Sequence, residues 1–163
     1  MNKKERYQLF VDYFSEHQPI AETELDYSNP YELLVAVILS AQCTDKRVNI
    51  VTKDLFKRFP EPESLAVADS QEVFEYIKSI SYPNKHLVGM AKILVNEFKN
   101  IVPSNIDDLQ TMPGVGRKTA NVIASVIYNV PVMAVDTHVF RVSKRLGLTT
   151  NAKTPLEAEK QLV

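Results

Sequence analysis

One short stretch of this sequence carries most of its chemistry: Leu109-Gln110-Thr111-Met112-Pro113-Gly114-Val115-Gly116-Arg117-Lys118-Thr119-Ala120-Asn121. Pro113-Gly114-Val115-Gly116 reads as a tight hairpin between a short helix and a longer one running to about Tyr128. Two glycines two apart permit positive φ and let another backbone come close. The amides of Val115, Gly116 and Arg117 are then expected free at a helix N-terminus. Such a terminus is an anion site, because unpaired N–H groups and the helix dipole point outward. A nucleic-acid phosphate fits it without any base being read. Lys118 adds an amine that attacks only when unprotonated, and an ordinary lysine, titrating near 10.4, is mostly a cation at neutral pH. For Gly-x-Gly alone, an ordinary helix-turn-helix with a Gly-rich turn is the better account.

Two further constellations carry polar chemistry. Ala134-Val135-Asp136-Thr137-His138-Val139-Phe140-Arg141-Val142 places Asp136 where an apolar, strand-like segment (131–135) turns into a helix, eighteen residues after Lys118. An acid there caps a helix and suits its dipole, which is the plain reading, and it is also a carboxylate available for proton transfer. Leu39-Ser40-Ala41-Gln42-Cys43-Thr44-Asp45 ends one helix and starts the next. Gln42 either satisfies backbone groups at that helix end or projects outward. Cys43 reads as a small buried residue.

These segments must be positioned by helices. Residues 3–17 place Tyr7, Phe10, Val11 and Phe14 on one face. Asn29-Pro30 starts a helix, with proline at the first helical position. That helix, through about Ser40, is apolar nearly all round and belongs at the centre of the fold. Thr44 or Asp45 caps a helix ending at Phe59-Pro60, with Val48, Val51, Leu55 and Phe59 inward. Asp69-Ser70-Gln71-Glu72 offers a capping box for a helix through Ile80 that buries Val73, Phe74 and Ile77. Leu87, Met90, Ala91, Leu94, Val95 and Phe98 stripe another helix. Ser104-Asn105-Ile106-Asp107 resembles a capping box before a short helix ending near Thr111, and Val115, Ala120 and Ile123 lock the hairpin helices together. No strand pair, repeat or low-complexity tract is evident, and short connections predict an all-α bundle.

Bulk properties narrow the function classes. The chain has 163 residues, 45% of them apolar, which suits one core or two small lobes. No apolar run approaches the ~20 residues that span a bilayer. The start, Met1-Asn2-Lys3-Lys4-Glu5, turns polar and helical instead of entering a signal-peptide core. With one cysteine there is no internal disulfide, so a cytoplasmic protein is expected. The net charge of −1 argues against a strongly basic nucleic-acid binder, but charge is unevenly spread. From Pro113 to Arg145 there are five cations (Arg117, Lys118, Arg141, Lys144, Arg145) and one acid, Asp136. Such a local surface can track phosphates, although a solvated helix face has the same composition.

The full string of apolar residue-Pro-Gly-Val-Gly-Arg-Lys-Thr-Ala resembles the helix–hairpin–helix of the DNA glycosylase superfamily, and Lys118 the endonuclease III branch in particular. Val-Asp-Thr-His-Val-Phe-Arg is similar to that family's aspartate motif, and Ser-Ala-Gln-Cys-Thr-Asp to its Ser-Ala-Gln-x-Thr-Asp turn. The resemblance covers nearly the whole chain. It implies an all-α, two-lobed fold: a helical bundle over 22–130 ending in the helix–hairpin–helix (about 104–128), and a second lobe of 1–21 plus 131–163. Double-stranded DNA with damaged bases or abasic sites would lie between the lobes, bound by a monomer, with Lys118 and Asp136 facing each other. The implied catalytic residues are Lys118 and Asp136. The implied DNA contacts are Gln42, Thr44, Asp45, Gly114, Val115, Gly116, Arg117, Thr137, His138 and Arg141.

The implied activity is base-excision repair of oxidised pyrimidines. The nucleotide is flipped out, Gln42 fills the gap, Lys118 displaces the base at C1′ and forms a Schiff base, and β-elimination cuts the strand on the 3′ side. Desolvation or nearby cations must free the Lys118 amine, so Lys118 is expected partly buried near Asp136, which would relay a proton. Mismatch glycosylases on the same fold generally lack the hairpin lysine. A non-catalytic helix–hairpin–helix module would demand neither Lys118 nor Asp136. Two departures stand out. The family usually holds a [4Fe-4S] cluster through four cysteines near its C-terminus, so no metal site is expected in this chain, which reads as ending before that loop. The family's Gly-aromatic-x-x-Lys-Ala wedge is about three residues short at Ser79-Ile80-Ser81-Tyr82-Pro83-Asn84-Lys85-His86.

Overall fold

The helices follow from local signals that the backbone honours. A computed structural model describes residues 1–80 and 84–163 and is all-α, with ten helices among the described residues. They are α1 (Lys3–His17), α2 (Pro30–Ser40), α3 (Asp45–Arg58), α4 (Pro62–Ala66) and α5 (Ser70–Ile77). They continue as α6 (Asn84–Phe98), α7 (Ile106–Gln110), α8 (Arg117–Tyr128), α9 (Thr137–Arg145) and α10 (Pro155–Leu162). The wedge-like stretch of the sequence reading, residues 79–86, includes 81–83, which lie outside the described residues. No helix among the described residues is long and apolar enough to cross a membrane.

The chain forms two compact units, Glu24–Val130 and Met1–Thr23 with Pro131–Val163. The first is built around α2. Asn29 caps it through Glu32 N, Pro30 opens it, and every residue from Leu33 to Leu39 is buried. Helix α2 packs on α3 and α8, α3 on α5, α4 and α5 on α6, and α7 on α8. Leu33, Leu34, Ile38 and Leu39 are fully enclosed. Each such side chain contributes about 1.5–3 kcal/mol through burial. The α3 stripe of Val48, Val51, Leu55 and Phe59 is inside as expected, and so are Leu87, Met90, Ala91 and Leu94 of α6.

Of the two residues that could cap α3, Thr44 is the one that does. Several local expectations are corrected. Helix α5 stops at Ile77, and Phe74 is 39% exposed while Ile80, beyond the helix, is buried. Neither Asp69 nor Asn105 completes a capping box. Asp69 accepts from Gln71 N, Glu72 pairs with Arg58 Nε at 2.6 Å instead of reaching back to the cap, and Asn105 accepts from Asp107 N and Asp108 N. Val95 and Phe98 are only half-buried. The segment 131–135 has no regular structure.

In the second unit, Val135, Ala152 and Ala158 form a small core backed by Val139, Phe140 and Leu162. Helix α1 is tied to it by Arg6 Nη1 donating to Gly147 O (3.2 Å) and Tyr7 OH donating to Gln161 O (3.0 Å). The expected inward stripe of α1 is not buried: Phe10, Val11 and Phe14 are 37%, 50% and 42% exposed. Phe10 and Phe14 border an apolar groove of about 630 Å³ with Val142, Leu146 and Leu148, and nothing among the described residues fills it.

Candidate functional site

The hairpin forms because Met112-Pro113-Gly114-Val115 has the residues a type II turn requires. Val115 N donates to Met112 O at 3.1 Å, and Gly114 takes a φ of 82°, which side chains disfavour. Val115, Ala120 and Ile123 are buried beneath it, as the sequence predicts, and Leu109 and Met112 are buried with them. The turn also removes one of the three expected anion-binding amides, since that of Val115 is spent on Met112 O. Gly116 is the N-cap of α8 with a φ of −86°, so it needs no glycine for its own conformation. A Cβ there would meet nothing within 4 Å.

Helix α8 begins against its own dipole. Its first turn has no acid and carries Arg117 and Lys118, both exposed. Cations at a helix N-terminus are disfavoured by about 0.3–1 kcal/mol each at exposed sites, so this end is tuned for an anion rather than for helix stability. The expected partial burial of Lys118 is not found. The inward face of α8 is Thr119, Ala120, Asn121, Ile123 and Ala124, which turns Lys118 outward.

The Gln42 turn follows α2, which packs on α8. Gln42 is exposed, and its side chain has no hydrogen bond among the described residues. Its amide donates to Leu39 O at 3.4 Å. Thr44 is exposed and Asp45 half-buried in the first turn of α3, and Cys43 is half-buried.

In the second unit, Asp136 caps α9: one carboxylate oxygen accepts from His138 N (2.9 Å) and Val139 N (2.8 Å). The capping reading is therefore realised, and Asp136 remains half-exposed. Thr137, His138 and Arg141 are exposed. Arg141 Nη2 lies 3.2 Å from His138 Nδ1.

Gly89 on α6 is a residue that the sequence reading passed over. A Cβ on it would lie 3.1 Å from Cγ of Pro113. A lone glycine inside a helical pattern is the available signal, since it costs helix stability and usually has a packing reason.

Among the described residues no three His, Cys, Asp or Glu side chains gather to hold a metal. A four-thiolate iron–sulfur cluster does not fit a sequence with one cysteine.

A helix–hairpin–helix, with a cationic helix start and a capped aspartate further on, is the layout of a DNA-repair glycosylase fold. The chain belongs to the HhH-GPD superfamily of base excision DNA repair proteins, which matches residues 35–163. It is 48% identical over 156 residues to Endonuclease III of Bacillus subtilis (strain 168), covering 94% of this chain and 71% of that one. It is 43% identical to Endonuclease III of Synechocystis sp., with 99% and 75% covered. A non-covalent Endonuclease III–DNA complex superposes with a TM-score of 0.90 at 41% identity, and a trapped Endonuclease III–DNA covalent intermediate with 0.91 at 42%. Each covers 99% of this chain and 77% of the other.

Proposed function

We propose that this chain is a bifunctional DNA glycosylase and abasic-site lyase of the endonuclease III type, acting on oxidised pyrimidines in duplex DNA. The observation that carries the reading is Lys118: an exposed amine one residue inside a helix whose N-terminus is built for an anion. The trapped covalent DNA intermediate of a relative 42% identical agrees with it.

In this reading a backbone phosphate sits at the start of α8 against the Gly116 amide and Arg117. The missing side chain of Gly116 leaves it room. Lys118 Nζ bonds to C1′ of the extruded nucleotide, the C1′–base bond breaks, and the base leaves with a proton. Opening of the sugar ring gives the imine. Loss of a C2′ proton then expels the 3′ phosphate. Bound DNA would exclude water around the exposed Lys118 side chain, and desolvation favours the neutral form of an amine. Asp136, held by its two amide bonds, would accept or relay protons and stabilise positive charge on the sugar. Gln42 would occupy the gap in the duplex, beside Thr44 and Asp45, and Thr137, His138 and Arg141 would hold a second stretch of backbone.

The test is nicking of an abasic-site duplex by the parent chain and by Lys118→Gln. Loss of nicking by a factor of about 10² or more supports the lysine nucleophile, and nicking at the parent rate removes it.

A further inference from the structure

Helices α2 and α8 pack on each other, and Pro30 at the start of α2 and Tyr128 at the end of α8 line one groove of about 350 Å³. The two helices therefore run antiparallel. The Gln42 turn and Lys118 lie at their opposite ends, a helix length of about 16–18 Å away at 1.5 Å per residue. Buried Tyr31 lines the groove, and exposed Pro30, Pro60, Ile101 and Tyr128 border it. Its walls are pinned: Tyr31 OH donates to Phe59 O at 3.1 Å, Tyr128 OH to Val102 O, and Asn100 Nδ2 to Glu63 Oε1. These bonds spend the hydroxyl protons, and Pro30, Pro60 and Pro62 have no backbone N–H. The groove is thus apolar and short of donors. Its charge is negative, because Glu61 is the one charged residue that lines it, and the Glu32 and Glu63 carboxylates both act on Tyr31. Lys99 precedes Asn100 in the chain but does not line the groove.

We propose that this groove docks a short basic segment of a partner protein. An apolar side chain of the segment fills the space beside Ile101 and Tyr128, and a neighbouring lysine or arginine meets Glu61. The partner supplies the donors that the groove lacks, and its cation complements the local negative charge. A volume near the lower end of ordinary ligand pockets, about 300–1,000 Å³, suits one anchoring side chain with the backbone on either side. The groove lies at the far ends of α2 and α8 from the proposed DNA site, so partner and duplex occupy the protein together. Only this joint occupancy rests on the DNA reading.

The test pans the full chain against a phage-displayed library of short random peptides, and the most enriched sequence is synthesised. The expected motif joins a large apolar residue to lysine or arginine. Ile101 is 67% exposed, and exposed Glu61 makes no capping hydrogen bond, so Ile101→Ser and Glu61→Lys keep the fold. Ile101→Ser is expected to weaken peptide binding about tenfold. Glu61→Lys is expected to weaken it severalfold at low salt and less at high salt. Amide shifts in an NMR titration should cluster at Tyr31, Glu61, Ile101 and Tyr128. A duplex bearing an uncleavable abasic analogue should leave the peptide affinity unchanged. No enrichment, an acidic or uncharged motif, parent-like binding by both variants, or displacement of the peptide by the duplex overturns the proposal. Self-association of the chain that is lost in Ile101→Ser assigns the groove to a second copy and overturns it as well. Peptide binding by a parent chain that binds no duplex upholds the groove and removes the DNA reading, so the two fail separately.

Discussion

Gly89 and Pro113 touch so closely that a single methyl group on Gly89 would come within 3.1 Å of the proline ring. Helix α6 therefore sets the position of the hairpin from behind. Replacing Gly89 with alanine relieves the helix of a penalty of about 0.5–1 kcal/mol but pushes on Pro113. The expected outcome for Gly89→Ala is a stability within about 1 kcal/mol of the parent, together with weaker DNA cleavage. Gly89→Val should lose both. Denaturant unfolding and abasic-site cleavage, measured side by side, check this, and unchanged cleavage in both variants would contradict it.

The two hairpin glycines should fail differently. Gly114 sits at a φ of 82°, so Gly114→Ala strains the backbone by about 1–2 kcal/mol. Gly116 has an ordinary φ and open space. Gly116→Ala is thus expected to cost well under 1 kcal/mol of stability but to weaken DNA binding severalfold, because its methyl group occupies the approach to the anion site. Thermal unfolding and a binding titration separate the two effects.

Asp136 carries a capping role and a proposed chemical one, and substitution can divide them. Asparagine caps a helix nearly as well as aspartate, whereas alanine costs about 1 kcal/mol. Asp136→Asn is expected to keep stability within about 0.5 kcal/mol and still lose most of the cleavage rate. Asp136→Ala should lose both. Full cleavage by Asp136→Asn would leave capping as its whole role.

Tyr31 predicts an alkaline limit to stability. It is buried, its OH donates to Phe59 O at 3.1 Å, and burial foremost, then the Glu32 and Glu63 charges, hold its pKa well above the usual 10. Above pH 10 the unfolded chain releases this proton while the folded chain keeps it. Stability is therefore full below pH 10 and falls as pH rises beyond it. Tyr31→Phe is expected to cost about 1 kcal/mol at pH 8 and to show a shallower loss at alkaline pH. Urea unfolding at both pH values measures it.

Much of this was legible in the sequence because the signals were local and mutually consistent. The unbroken apolar run of α2 could only be a central helix, and Pro113-Gly114 could only be a turn. What was missed depended on long-range packing or on reading past the motifs. The Val115 amide reads as free in the sequence because its bond to Met112 O exists only once the turn closes. What the chemistry of Lys118 needs points to partial burial, whereas the helix face decides its exposure. Periodicity marks the α1 stripe as apolar without saying what covers it. Helix α10 carries its own local signature, Thr154 as N-cap, Pro155 at the first position and Glu157 in the first turn. Gly89 could be flagged from sequence, but its partner Pro113 could not.

The central claim is that Lys118 forms a covalent bond to the sugar of a damaged nucleotide. Borohydride reduction during incubation with an abasic-site duplex traps such an imine as a stable protein–DNA adduct. The parent chain is expected to give the adduct, and Lys118→Ala, a change at an exposed position that leaves the fold intact, is expected to give none. An equal yield of adduct from Lys118→Ala, or none from the parent chain, would contradict the account.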